Sequence, residues 1–361
     1  MDQISKLMKN QLKLLNFDGQ NLFVGIDCHL KSWKITIYSE EFELKTFSQE
    51  PNSAKLAQHL PKNYPGAKFS CVYEAGFSGY WMQRELSECG IDCIIAHPAD
   101  IPTMDREKKM KSDVIDSRKL CRSLRNREIE GIYVPSIELQ EARSLVRARV
   151  KLVNDLTRVK NRIKFFLMFY GITISTQGNS WGKNYLAKLQ QVQLKTEAGQ
   201  RSLEFLLQEL HFLIEKEKWI RKQIEQLSLT DPYQEDVRLL RTIPSVGLIT
   251  AMTIMTEIGD IKRFKSLDKL CCYFGLIPTS HSSGEKNRIG RNTSRGNKYL
   301  KHLLIESAWI IIRKDPGLLL YYKKQIGVME SNKAIIKVAR KLLNRIRFIL
   351  TMKVEYQCGR P

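Results

Sequence analysis

The sequence predicts an α/β N-terminal domain, a long α-helical connector and a mainly α-helical C-terminal domain. Three observations carry this. Between residues 21 and about 130, short apolar runs of strand character alternate with runs at helical spacing, the pattern of a central sheet with helices packed on it. The stretches 136–170 and 196–228 then hold helical spacing much longer than an ordinary globular helix does. Beyond Asp231-Pro232 the pattern is helical again, broken by glycine and proline.

Taken in order, residues 1–20 read as a short amphipathic helix. "NLFVGIDCHLKSWKITIYSE" gives two strands joined by a turn, with β-branched and aromatic residues alternating on the second. "KFSCVYEAG" (68–76) is a further strand that stops at Gly76. "GYWMQRELSECG" (79–90) is a helix ended by glycine, "IDCIIAHP" (91–98) a buried strand ended by proline, and "SDVIDSRKLCRSLRNREI" (112–129) a helix. "SIELQEARSLVRARVKLVNDLTRVKNRIKFFLMFY" is one long basic helix. A second, 196–228, places Leu203, Leu206, Leu210 and Leu213 at helical spacing. The two suit an antiparallel coiled coil with 171–195 as the loop between them. "IPSVGLITAMTIMTEIG" (243–259) is helix-hairpin-helix-like, a form that offers backbone N–H groups to a phosphate; a plain helix-turn-helix packing element fits the same residues. Residues 278–304 read as a basic loop, and "NKAIIKVARKLLNRIRFILTMK" as a closing helix. The implied domains are 1–135, 136–235 and 236–361.

The chain has 361 residues, with 59 Lys+Arg against 38 Asp+Glu and a formal charge of +21. Such an excess points to a polyanionic partner, because Lys and Arg release counterions from phosphate backbones. An anionic membrane surface is the weaker alternative. No run approaches the ~18 apolar residues of a spanning helix, and the N-terminus has neither the apolar core nor the cleavage site of a secretory signal. The eight cysteines form no CxxC pair and sit mostly among apolar residues, which suits reduced thiols of a cytoplasmic protein better than zinc ligation or disulfides. The basic residues expected to meet nucleic acid are Arg147, Arg158 and Arg162 on the long helix, and Lys286, Arg288, Arg291, Arg295 and Lys298 in the basic loop.

Four carboxylates stand where a divalent metal would want them. Asp27 ends the first strand and Glu74 a later one, while Asp113 and Asp116 lie three apart on one helix face. Neighbouring strand ends bring distant residues together, and a helix on the sheet adds two more. Hard oxygen donors suit Mg²⁺ or Mn²⁺, and two such ions can clamp the attacking and leaving oxygens of a phosphodiester. Singly, each acid has an ordinary reading: Asp27 as a turn cap, Glu74 as a loop acid, Asp113 and Asp116 as helix-start acids favoured by the macrodipole. As a set they follow the apolar strand cores "FVGID" and "CVYE", where a charge is costly without a task.

In "PTSHSSGEKNRIGRNTSRGNKYLKHLL" (278–304), Ser282 and Ser283 precede Gly284 amid many cations and one acid, Glu285. A serine hydroxyl there can attack a phosphodiester while guanidinium groups stabilise the developing charge. Turn-forming serines in a solvated loop give the same Ser-Ser-Gly.

"VGIDCHLKSWKITIY", "YEAGFSGYWMQREL", "IIAHPADIPTM" and "KSDVIDSRKLCRSLR" together resemble the DEDD, RuvC-like domain of a bacterial insertion-sequence transposase family that also includes a pilin-gene invertase. The family's four acids match Asp27, Glu74, Asp113 and Asp116, and the resemblance implies an RNase H-like fold and a site for Mg²⁺ or Mn²⁺. "GDIKRFKSLDKLCCYFGLIPTSHSSGEKNRIGRNTSRGNKYLKHLLIESA" resembles the C-terminal domain of the same family through its G-D-x-x-R-F, Y-x-G-L-x-P, S-G and G-N-x-x-L elements. The family's nucleophilic serine maps to Ser283, with Ser282 adjacent. Thr293-Ser294-Arg295-Gly296 is a mild departure from the Ile-Ser-Lys-x-Gly of many relatives, and "KAIIKVARKLL" (333–343) is family-like. The matched blocks span about 21–130 and 238–343.

The resemblance implies a DNA transposase and recombinase of a mobile element. It would cut and rejoin double-stranded donor and target DNA through a covalent phosphoserine link. It also implies a guide in the form of a structured noncoding RNA. A dimer or tetramer built partly through the 136–228 helices, working in the bacterial cytoplasm at the nucleoid, completes the expectation. Two other readings stay open on the residues alone: a metal-only nuclease or resolvase of the RuvC type, and a non-catalytic nucleic-acid-binding protein.

Overall fold

The computed structural model describes residues 16–105, 112–175, 181–283, 286–292 and 295–359, with 278–283 and 286–292 described by their backbone. Met1–Val134 and Pro135–Pro361 form two compact units. The helix expected over residues 1–20 lies mostly outside the described residues, and residues 16–20 form a turn.

In the first unit β1 (Asn21–Cys28), β2 (Trp33–Tyr38) and β3 (Glu43–Gln49) form an antiparallel meander. β4 (Lys68–Glu74) and β5 (Asp92–Ala96) continue in parallel beyond β1, giving the order β3-β2-β1-β4-β5. The crossovers that parallel pairing requires are α1 (Ser53–Asn63) and α2 (Trp81–Glu88). α3 (Asp113–Arg125) follows. This order and direction fit the expected RNase H-like fold.

The two-residue period of the strands decides which face each helix covers. Leu22, Val24 and Ile26 of β1, with Ile35, Ile37 and Tyr73, face one way and pack with Leu56 and Leu60 of α1 and Met82 and Leu86 of α2. Gly25 and Val72 therefore face the other way, and α3 lies there: Leu120 shares a core with Val72, and Ser117 and Cys121 crowd Gly25.

In the second unit α4 (Ile137–Phe169) and α6 (Glu197–Ser228) run antiparallel. Val159, Ile163 and Leu167 pack with Leu210, whereas Ala142 and Val146, near the start of α4, share a core with Ile220 and Ile224, near the end of α6. The connection expected to be loop contains α5 (Lys183–Gln190), whose Tyr185 and Leu189 join the first of these cores. The segment read as helix-hairpin-helix-like is a turn over 241–247 that leads into α8 (Leu248–Ile258), with α7 (Gln234–Leu240) before it. α9 (Leu267–Phe274), α10 (Lys298–Ile311), α11 (Pro316–Ile326) and α12 (Ser331–Met352) complete a helical bundle with α8. α12 buries Ile335, Val338, Ala339, Leu342, Leu343 and Ile346 along one stripe.

The basic loop expected over 278–304 proves to be a hairpin of β6 (Pro278–Ser283) and β7 (Lys286–Asn292), followed by α10. Its strands are polar almost throughout in sequence, so they lack the apolar alternation that announces a strand; they pair antiparallel, from Pro278 with Asn292 to Ser283 with Lys286. Among the described residues no helix is long and apolar enough to cross a membrane.

Candidate functional site

The end of β1 places Asp27. Its strand parity is that of Gly25, so its side chain is set on the α3 face of the sheet. In β4, Glu74 has the parity of Val72, on the same face, and Glu74 stands one residue past the Ile26–Tyr73 pair. α3 opens with Ser112 as N-cap, its hydroxyl accepting from the Ile115 amide at 3.3 Å, so Asp113 and Asp116 fall in the first turn, where partial positive charge gathers.

These elements bring Asp27 and Asp113 together around a residue the motif reading missed, His29. The His29 Nε2 lies 3.2 Å from Oδ2 of Asp27 and 3.4 Å from Oδ1 of Asp113. One ligand atom from each of the three falls within 4.8 Å of the others. His29 lies one residue past the end of β1, beside the turn into β2, so no strand period announced it. Asp116 is near enough to act on Asp27 electrostatically and is bonded by Lys119 at 2.8 Å. Glu74 is at the neighbouring strand end, exposed, and outside the three-residue group.

Burial pushes the Asp27 carboxyl above its ordinary value; His29 pulls it back down, while Asp116 and Asp113 push it up again. Three carboxylates at one sheet end repel one another, and a cation removes that cost. Oxygens from Asp27 and Asp113 and a nitrogen from His29 are suitable donors for Mg²⁺ or, with the imidazole, Mn²⁺. Cys28 has the opposite strand parity and packs against the core on the α1–α2 face, where burial pushes its thiol up to about 12.

The serine element belongs to the second unit. Ser283 is the last residue of β6 and pairs with Lys286 of β7; Ser282 pairs with Asn287 and His281 with Arg288. Arg291 lies near the end of β7, and Arg295 and Lys298 are exposed where the chain enters α10.

On α4 the three expected nucleic-acid contacts are all engaged within the chain. Arg158 bonds Asp155 at 2.7 Å, one turn away, and Arg162 makes a two-point contact with Glu209 of α6 at 2.9 and 3.1 Å. Arg147 gives both arms to Glu257 of α8, at 2.6 and 2.7 Å. The first two pairs are open to solvent, where exchange for a phosphate is cheap.

Two family models match the chain. A DEDD-type model described as "Transposase" covers residues 24–172, and "Transposase IS116/IS110/IS902 family" covers 237–323. The putative transposase y4qE of Sinorhizobium fredii is 34% identical over 248 residues, 67% of this chain and 59% of that relative. The transposase for insertion sequence element IS1111A of Coxiella burnetii is 26% identical over 92% of this chain and 88% of its own. The transposase for insertion sequence element IS1533 of Leptospira borgpetersenii is 27% identical over 80% and 85%. The first matched block holds Asp27, His29, Glu74, Asp113 and Asp116, and the second holds the hairpin with Ser283. The chain belongs to the IS116/IS110/IS902 family and is a DEDD-type DNA transposase of a mobile element.

Proposed function

We propose that this transposase cuts and rejoins DNA with Ser283 as nucleophile and with Asp27, Glu74, Asp113 and Asp116 holding Mg²⁺ or Mn²⁺. The observation that carries the reading is the convergence of Asp27, His29 and Asp113 at the sheet end within the matched DEDD block. A bound divalent ion supplies positive charge to phosphate oxygens during transfer. The acids hold the ion with His29 as a further donor, Lys119 balances the charge of Asp116, and the cations of the hairpin and of the start of α10 hold the phosphate backbone.

In the cutting step the Ser283 hydroxyl oxygen bonds to phosphorus and gives up its proton. A deoxyribose oxygen leaves and takes a proton. The reverse attack, by a deoxyribose hydroxyl on the phosphoserine, rejoins a strand and frees the serine, so no oxidant or energy source is consumed. The charge of +21 supports contact with duplex donor and target DNA, and with a structured noncoding guide RNA as well. The guide itself rests on the family resemblance. Exposed Phe165, Met168 and Phe169 on α4, with Phe205 and Phe212 on α6, support a dimer or tetramer built through these helices. The setting proposed is the bacterial cytoplasm at the nucleoid.

The test is to trap protein on nicked donor DNA with Mg²⁺ and the element's own RNA. Ser283→Ala should lose both the covalent adduct and strand exchange while keeping DNA binding; Ser282→Ala should keep all three. Full recombination by Ser283→Ala ends the serine assignment. The rival is metal-only cutting, favoured by the fact that the acid cluster lies wholly within the first unit. It predicts metal-dependent breaks whose ends carry no protein.

A further inference from the structure

The second unit contains a fully buried carboxylate that the proposed chemistry does not use. Glu257 closes α8, and its side chain is 0% exposed. A buried charge persists only with strong partners. Arg147 of α4 supplies a two-point contact, and the Asn297 side-chain amide donates to Oε2 at 2.7 Å. The backbone around Glu257 is held as well. Arg143 of α4 donates to the carbonyl of Thr256 at 2.9 Å and to that of Glu257 at 3.4 Å, and the Tyr273 hydroxyl donates to the Glu257 carbonyl at 2.8 Å. These bonds satisfy carbonyls that the end of α8 leaves without helical partners.

Both feet of the β6–β7 hairpin meet at this point. The chain leaves α9 at Gly275, three residues before β6 begins, and returns from β7 through Gly296 and Asn297 into α10. Gly296 is pressed on the other foot, since a Cβ there would lie 2.1 Å from the Gly275 Cα. The Asn297 amide donates to the Tyr273 carbonyl at 2.7 Å, and its Oδ1 caps α10 by accepting from the Tyr299 and Leu300 amides. Asn297 thus uses its backbone on the outgoing foot, its oxygen on α10 and its nitrogen on Glu257.

We propose that Glu257, acting through Asn297, is a positioning residue for strand cleavage: it clamps the base of the hairpin to α4 and α8 and thereby aims Ser283, a role that rests on Ser283 being the nucleophile. The lever is long. A six-residue strand spans roughly 20 Å, so a tilt of about 10° at the base moves the tip by roughly 3 Å, and a misplacement of about 1 Å can cost a hundredfold in rate.

Asn297→Ser tests this, because serine also caps helices well but is too short to replace the amide that reaches Glu257, and Arg147 still pairs the carboxylate. The full-length variant should stay folded at the assay temperature, melting at most a few degrees below wild type, and keep a DNA dissociation constant within about twofold. At saturating DNA, the rate of covalent adduct formation should fall at least about tenfold, a loss in turnover without a loss in binding. Hydrogen exchange should quicken in residues 278–292 and stay unchanged in α8 and α10. Adduct formation and hairpin exchange both at wild-type levels overturn the clamp, as does a rate loss that merely follows lost stability or lost DNA binding. If the wild type forms no serine adduct, the nucleophile reading has failed, and the clamp as a hold on the hairpin is judged by exchange alone: faster exchange confined to 278–292 supports it, unchanged exchange sinks it.

Discussion

A Cβ on Gly25 would lie 2.2 Å from the carbonyl oxygen of Ser117. α3 therefore rests on β1 at a spot with no room for any side chain. Two bonds fix the contact: the hydroxyls of Thr36 and Ser117 meet at 2.9 Å in a buried pair, and the Cys121 thiol donates to the Phe23 carbonyl at 3.0 Å. Asp27 lies two residues beyond Gly25, and Asp113 about one turn before Ser117, so this contact sets the spacing of the acids. Gly25→Ala should cost about 1–3 kcal/mol by overpacking. By lifting the start of α3, it should also weaken Mn²⁺ binding at least about tenfold in titration calorimetry. Unchanged Mn²⁺ affinity in a folded Gly25→Ala protein would show that the acids do not depend on this contact.

Asp113→Asn acts on the same site without disturbing the scaffold. The substitution gives up a helix-start charge worth about 0.3–1 kcal/mol, and it relieves repulsion on Asp27, which Asp113 pushes up. The two effects oppose each other, so the melting temperature should barely change. Mn²⁺ affinity should fall at least about tenfold and DNA cleavage should disappear. Wild-type cleavage should likewise stop when EDTA is added. Undiminished cleavage in EDTA would remove the metal from the reading.

How far the sequence revealed this site can be traced residue by residue. β1, β4, β5 and α3 were legible because Val24, Ile26, Val72 and Ile95 alternate or cluster as buried strand residues do, and Ser112 marks a helix start. The four acids followed from those strand ends. β3 was not resolved because "ELKTFSQ" has no fully buried residue and hence no face to announce. The β6–β7 hairpin was read as loop because its sequence is polar almost throughout and offers no apolar alternation. His29 escaped because a lone histidine beside a turn carries no period, and its role is set by Asp113, far along the chain. Glu257 could not be foreseen either: its partners Arg147 and Asn297 are distant in sequence, and only packing brings them together.

Asp315 offers a pH test with a definite sign. It caps α11, accepts from the Leu318 amide at 2.9 Å and from Arg345 at 2.8 Å, and also bonds the Tyr356 hydroxyl of the C-terminal segment. Burial alone would raise its carboxyl, but the Tyr356 hydroxyl, the Leu318 amide and Arg345 outweigh that and hold it below the ordinary value of 3.8. A depressed folded-state value means that the stabilisation is fully present above 3.8 and is lost as pH falls through the lower folded value. Asp315→Asn keeps a capping side chain but removes the charge that Arg345 and the Tyr356 hydroxyl bond, which should cost about 1–3 kcal/mol near neutrality. Melting temperatures of wild type and variant should differ most between about pH 5 and 7 and converge below about pH 4. A gap of constant size through that range would mean that the charge on Asp315 is not what stabilises the fold.

Arg162 and Glu209 give the last prediction, which concerns the nucleic-acid face. Their two-point contact between α4 and α6 is open to solvent, so its net worth is about 0–1 kcal/mol. A phosphate can take the place of the carboxylate on a guanidinium, since both accept the same two-armed donation. If the α4 face meets DNA or RNA, Glu209 competes with the phosphate. Glu209→Gln should then raise affinity and leave the fold intact. Arg162→Ala should lower affinity for all sequences alike and reduce the slope of log K against log salt by about 1. Arg158, which pairs with Asp155 on its own helix, should behave the same way. Binding measured across a salt series decides between the outcomes: slopes equal to wild type in Arg158→Ala and Arg162→Ala would place the nucleic acid elsewhere and leave these arginines as solvated partners of their own acids.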